Sequence, residues 1–222
     1  WDHPQEGVVA PARFLSQIEA CGMMRQLTEQ VVQRAFRQLH LWHQSELRIT
    51  LAFNLDPSLL TDLALPNWLA ELATEHAIDP DRVTIEVTES GAMSDAAASM
   101  EILTRLRLKG FNLSIDDFGT GYSSLIELHR MPFTEMKVDR TFVMERDNDS
   151  EARKIVEAIV GLGKTLGLSV CAEGVESHEA VALLQALRCD TAQGFLFSPP
   201  IPAEEFAEFA RKQINGRGKY QD

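Results

Sequence analysis

Two periodicities interleave along this chain. Short runs alternate apolar and polar residues with period two, and the stretches between them repeat apolar residues at three- and four-residue intervals. Leu27, Val31, Phe36 and Leu39 carry the helical spacing within residues 23–45. Further helices are expected over 11–20, 66–76, 95–109, 123–130, 151–166, 177–187 and 203–214. Strands are expected over 48–54, 82–88, 111–116, 135–138, 168–173 and 191–195. Strands alternating with helices of this length predict parallel βαβ units. Six strands suit an open doubly wound sheet, whereas a closed (β/α)₈ barrel needs eight.

Parity along these strands separates two faces. Ile49, Leu51 and Phe53 oppose Thr50, Ala52 and Asn54; Val83, Ile85 and Val87 oppose Thr84, Glu86 and Thr88. Leu113 and Ile115 oppose Ser114 and Asp116, and Met136 and Val138 oppose Lys137 and Asp139. Val170 and Ala172 oppose Cys171 and Glu173, while Ala192 opposes Gln193. One face is apolar and suits covering helices. The other ends, strand after strand, in a functional group: Asn54, Glu86, Asp116, Lys137, Glu173 and Gln193. Six such ends in matching register predict one shared rim, which in a barrel is the mouth where active sites lie.

Composition narrows the partners. The chain has 222 residues, 45% hydrophobic and 24% charged, enough for one large domain or two small ones with a sizeable core. No apolar run approaches the ~18 residues of a membrane span. A formal net charge of -12 argues against a long DNA or RNA polymer held on a basic surface, but leaves room for a small nucleotide held through metal ions. Cys21, Cys171 and Cys189 form no CxxC, which predicts free thiols in a reducing, cytoplasmic setting, with Cys171 filling core space.

The chemistry concentrates in Ser114-Ile115-Asp116-Asp117-Phe118-Gly119-Thr120-Gly121-Tyr122-Ser123-Ser124-Leu125. Two adjacent carboxylates close an apolar run and are followed by glycines that permit a tight turn. Glu86, Asp116, Asp117 and Glu173, with the neutral oxygen of Asn54, make a hard donor set suited to Mg²⁺ or Mn²⁺. Four carboxylates suit two such ions, an arrangement that stabilises the attacking and leaving oxygens of phosphoryl displacement. Lys137 adds a compact positive charge that can orient water or stabilise a developing phosphoryl charge. Gln193 can donate and accept hydrogen bonds at the rim. The residues point to metal-assisted hydrolysis of a phosphate ester.

Five motifs then carry a family resemblance: Glu86-Val87-Thr88-Glu89, the run from Asp116 to Leu125, Lys137-Val138-Asp139-Arg140, Ala172-Glu173-Gly174-Val175-Glu176 and Gln193-Gly194-Phe195. Their order resembles that of EAL domains over nearly the whole chain. The resemblance implies a TIM-like (β/α)₈ barrel and cleavage of one phosphodiester of cyclic di-GMP to linear 5′-pGpG in bacterial signalling. It implies metal ligation by Asn54, Glu86, Asp116, Asp117 and Glu173, a water-holding Lys137, and Glu173 as candidate base. Glu89 resembles the anchor of the loop after Asp117. Asp139, Glu176 and Gln193 resemble substrate-positioning or supporting residues, and Phe195 falls where an aromatic can stack a guanine. A homodimer and a fused upstream sensory or receiver domain are also implied. A non-catalytic cyclic di-GMP receptor and a pure interaction module are the alternatives from other classes.

Two departures qualify the resemblance. Asn54-Leu55-Asp56 stands where the family usually has Asn-x-Ser. The chain also begins at Trp1-Asp2-His3-Pro4, which resembles a Trp-x-x-Pro segment that follows the family's first two strands. The expectation is therefore a barrel N-terminally truncated to about six strands, spanning 1–222 as a partial domain. The signature Glu, a metal ligand, and a phosphate-contacting Arg would lie outside it. On this reading the 222-residue polypeptide alone is expected to be poorly active and poorly stable.

Overall fold

The computed structural model describes residues 1–120, 125–143 and 150–216. A two-residue antiparallel pairing, β1 (Asp2–His3) with β2 (Gly7–Val8), precedes a 3₁₀ turn at Pro11–Arg13 and α1 (Leu15–Ala20). The helix expected over 11–20 is thus split at Phe14, whose φ of -130° is not helical. The long α2 (Met24–Gln44) follows, and buries Thr28, Val32, Phe36 and Leu39 along one stripe.

Six parallel strands then run through one sheet in chain order: β3 (Leu51–Asn54), β4 (Val83–Thr88), β5 (Asn112–Phe118), β6 (Glu135–Val138), β7 (Ser169–Ala172) and β8 (Thr191–Ala192). A doubly wound sheet reverses its strand order at a switch point; this one does not. Monotonic order with helical crossovers is the layout of a TIM-like (β/α)₈ barrel, represented here by six strands. The crossovers contain α3 (Leu65–Glu75), α4 (Glu89–Ser94), α5 (Ala96–Leu108), α6 (Leu125–Arg130), α7 (Arg140–Val143), α8 (Ser150–Leu166) and α9 (His178–Ala186). Helix α10 (Ala203–Gly216) ends the described chain.

The apolar face is closed completely. Ile85, Val87, Leu113, Ile115, Met136, Val138, Val170 and Ala172 all have no exposed surface. They pack against Ile102, Leu103 and Leu106 of α5 and Val156, Ile159 and Val160 of α8, within one core cluster. Each large aliphatic buried this way contributes about 1.5–3 kcal/mol. Local caps set where helices begin: Thr88 Oγ1 accepts from Gly91 N–H at 3.3 Å, Asp95 Oδ1 from Ala98 N–H at 3.1 Å, and Ser177 Oγ from Ala180 N–H at 3.1 Å.

Three strand boundaries depart from the periodicity. The strand expected over 48–54 starts only at Leu51. The one expected over 191–195 stops at Ala192, because the chain folds onto Val175: Val175 N–H donates to Gln193 O, and Leu196 N–H donates to Val175 O. Gly194 makes that approach possible, since a Cβ there would lie 2.2 Å from the Val175 carbonyl oxygen. The strand expected over 111–116 instead continues to Phe118, through an irregularity that shapes the site. The short helices α4 and α7 have too few residues to display a period.

Candidate active site

The parallel register brings the rim residues together. Asn54 lies opposite Glu86 on adjacent strands, Thr88 lies opposite Asp116, and Lys137 lies opposite Cys171. Glu173 follows directly after β7, its N–H bonded to Val138 O. Asn54, on the edge strand, is exposed, whereas Glu86, Asp116 and Lys137 are buried.

Asp117 reaches the same rim by a different device. Between β5 and β6, Ile115 pairs with Met136 and Phe118 with Val138, so β5 carries one residue more than its partner. This bulge coincides with a left-handed Asp117, φ +55°. Asp tolerates that conformation better than most residues. The extra residue restores Phe118 to the apolar core while both neighbouring carboxylates serve the rim. Asp116, Asp117 and Glu173 each offer an oxygen within 4.8 Å of the others.

Lys137 occupies the centre of the cluster. Its Nζ lies 3.0 Å from Glu86 Oε2, 3.3 Å from Asp116 Oδ1 and 2.5 Å from Glu173 Oε1. Burial alone would lower its pKa, but the hydrogen bond to Glu173 and the charges of Glu86, Asp116 and Glu173 outweigh it and hold Lys137 protonated well above its usual range. Burial raises Glu86 and Glu173 above the ordinary carboxylate range, with Lys137 opposing it in both. Gln193 Nε2 donates to Glu173 Oε1 at 2.6 Å.

A second pair lies beside the first. Asp117 shares a side-chain hydrogen bond with Asp139. Burial and the Asp116 charge raise Asp117; Asp139 resists the upward push of burial because the Thr141 hydroxyl and N–H donate to it, and falls below the usual range. Glu89, buried at the start of α4, accepts from Gly119 N–H at 3.0 Å, so it holds the backbone two residues after Asp117. Gly119 has φ +99°, and a Cβ there would meet Phe142 at 2.9 Å. The motif residues Gly121, Tyr122, Ser123 and Ser124 lie outside the described residues, as does the expected helix start at Ser123.

Glu86, Asp116 and Glu173 thus share a single ammonium, with Asp117 and Asp139 beside them. The surplus negative charge, concentrated on hard oxygen donors in a largely buried site, is what divalent cations balance, so these residues fit such ions. On the same strand, two residues before Asp116, Ser114 adds a fully buried hydroxyl with no hydrogen-bond partner among the described residues.

Beside Glu173 opens a cavity of about 500 Å³. Glu176, Gln193 and Phe195 line it, so these three expected residues sit at the cavity while the carboxylates sit at the rim. Phe195 is 65% exposed and is not a core residue. Sequence reasoning gave no role to Arg140, which also lines this cavity; its only signal was its place after Asp139 in the lysine motif. The bulge at Asp117 was equally invisible to an alternation count. The three cysteines are free, and Cys171 is buried as expected. No helix among the described residues is long and apolar enough to cross a membrane.

A family model described as the EAL domain matches residues 1–200. The chain is 43% identical over 206 residues to MucR of Pseudomonas aeruginosa, named as a bifunctional diguanylate cyclase/cyclic di-GMP phosphodiesterase, covering 92% of this chain and 30% of MucR. It is 39% identical over 209 residues to the cyclic di-GMP phosphodiesterase RocR of the same organism, covering 94% of this chain and 53% of RocR. The solved PaMucR phosphodiesterase in complex with c-di-GMP superposes with a TM-score of 0.88 at 42% identity, covering 93% of this chain and 84% of that one. The chain spans about a third and about half of the lengths of these two curated relatives.

Proposed function

The chain belongs to the EAL domain family, and from that premise we propose that it hydrolyses cyclic di-GMP to linear 5′-pGpG. The observation that carries the reading is the convergence of Glu86, Asp116 and Glu173 on Lys137, with Asp117 brought in by the bulge. Asn54, Glu86, Asp116, Asp117 and Glu173 would hold two Mg²⁺ or Mn²⁺ ions. Bound there, the ions would polarise the scissile phosphate and lower the pKa of the attacking water.

The chain's own residues supply position and proton traffic. Lys137, protonated throughout the physiological range, cannot act as a base; it donates hydrogen bonds and fixes the orientation of Glu173 and of the attacking water. Glu173, raised by burial, is a stronger proton acceptor than an exposed carboxylate. As water adds to phosphorus, a proton passes to a Glu173 oxygen while the P–O3′ bond breaks; the departing O3′ takes up a proton from solvent to become the 3′-hydroxyl, and the linear product keeps a 5′-phosphate. Gln193 holds Glu173 in place through its 2.6 Å hydrogen bond. Asp139 fixes Asp117, and Glu89 fixes the turn through Gly119. Residues 1–222 act as part of one phosphodiesterase domain in the cytoplasm, as a homodimer joined to a regulatory domain.

Incubation with cyclic di-GMP and Mn²⁺ or Mg²⁺, followed by chromatography, tests the reading. The expected product is 5′-pGpG, absent when EDTA is present. Binding of cyclic di-GMP with no product under any divalent ion would identify a receptor instead.

A further inference from the structure

The cavity beside Glu173 is lined by one cation, Arg140, the first residue of α7. Among the described residues its guanidinium closes no ion pair within 4.0 Å and donates no side-chain hydrogen bond. The neighbouring acid, Asp139, accepts from the Thr141 N–H and hydroxyl. Arg140 is exposed at the cavity, so its guanidinium is open to a ligand there. Every other charged residue lining that cavity, Glu173 and Glu176, is acidic.

The remaining wall is apolar and aromatic. Phe195 presents 65% of its surface, and Phe206, Phe209, Pro199 and Pro200 also line the cavity. A flat aromatic surface suits a stacked base. A guanidinium fork matches guanine O6 and N7, two acceptors that no other base presents side by side; adenine replaces O6 with a donor amine. Glu176 supplies an acceptor for the opposite, donor-bearing edge of guanine.

We propose that Arg140 is a specificity-determining residue, reading the O6/N7 edge of the guanine that occupies this cavity; the proposal rests on the cyclic di-GMP reading above. Arg140 selects guanine over adenine and does no chemistry. A phosphate contact is the competing role for a free arginine, and the two separate cleanly. Reading a base edge changes selectivity, whereas holding a phosphate changes affinity for every cyclic dinucleotide alike.

Equilibrium binding in Ca²⁺, a hard cation of looser coordination geometry, is measured for cyclic di-GMP, cyclic di-IMP and cyclic di-AMP. The protein, R140A and R140K are compared after their thermal transitions are matched. Inosine keeps O6 and N7 and lacks only the 2-amino group. Losing a bidentate contact predicts that R140A reduces the preference for cyclic di-GMP over cyclic di-AMP by about 5- to 150-fold. Cyclic di-IMP should lose affinity in parallel with cyclic di-GMP, and R140K should keep part of the preference. Equal weakening of all three ligands, or no change in any, overturns the assignment. If the unsubstituted protein binds no cyclic dinucleotide, the parent reading fails first, and that outcome is distinct from an unchanged preference in R140A.

Discussion

In the middle strands the two faces of the parallel sheet are nearly equally buried and chemically opposite. Ile85 and Glu86 are adjacent residues of β4, exposed by 0% and 8%. The outer face is aliphatic and requires nothing but close packing. The inner rim gathers Glu86, Asp116 and Glu173 on Lys137 with Asp117 and Asp139 beside them, and burial raises the pKa values of Glu86, Asp117 and Glu173. The difference separates the sources of stability and function by a single residue step along each strand. Burying unbalanced charge costs stability, and the outer face offsets that cost.

Substitutions on alternate residues of β5 should therefore have opposite consequences. The largest effect is expected for Asp116→Ala, which should lower turnover on the order of 10³-fold or more while leaving the urea midpoint unchanged or higher. A matching loss of stability would mean that the rim is structural. Next, Ile115→Ala should destabilise by about 2–5 kcal/mol through cavity formation, read by urea unfolding, with turnover per folded molecule preserved. Activity lost at full stability would reverse the assignment of the two faces.

Smaller effects sharpen the contrast. Glu86, Asp117 and Glu173 have folded pKa values above their unfolded ones, so in the metal-free protein their stabilising protonation is present at acid pH and is lost as pH rises through the raised values. Divalent ions bind the ionised forms. The rise in melting temperature caused by Mn²⁺ should thus grow with pH, reaching several degrees at pH 8 and shrinking as protons return toward pH 5. An increment independent of pH would place the ion elsewhere. Last, Asp117→Asn keeps a side chain compatible with φ +55° and removes only charge. It should weaken Mn²⁺ binding by about 10-fold with no change in melting temperature of the metal-free protein in acid.

The fold was legible because period-two parity survives in the middle strands. Val83, Ile85 and Val87, like Leu113 and Ile115, point where alternation places them, and the rim ends followed from the same count. Alternation fails where backbone geometry intervenes. Asp117 depends on a bulge and a left-handed residue, neither of which changes the apolar pattern around it. The short β8 depends on Gly194 meeting the Val175 backbone, a contact between segments about twenty residues apart. Arg140 escaped notice because lining a cavity depends on how distant segments pack, which a residue's place in a motif does not show.

Anomalous diffraction from crystals grown with Mn²⁺ tests the central claim most directly. The account places manganese in contact with Asp116, Asp117 and Glu173, and requires the Lys137 ammonium to remain within hydrogen-bonding reach of Glu173. Manganese bound away from these carboxylates, or no bound ion while Lys137 still bridges Glu86, Asp116 and Glu173, would contradict it.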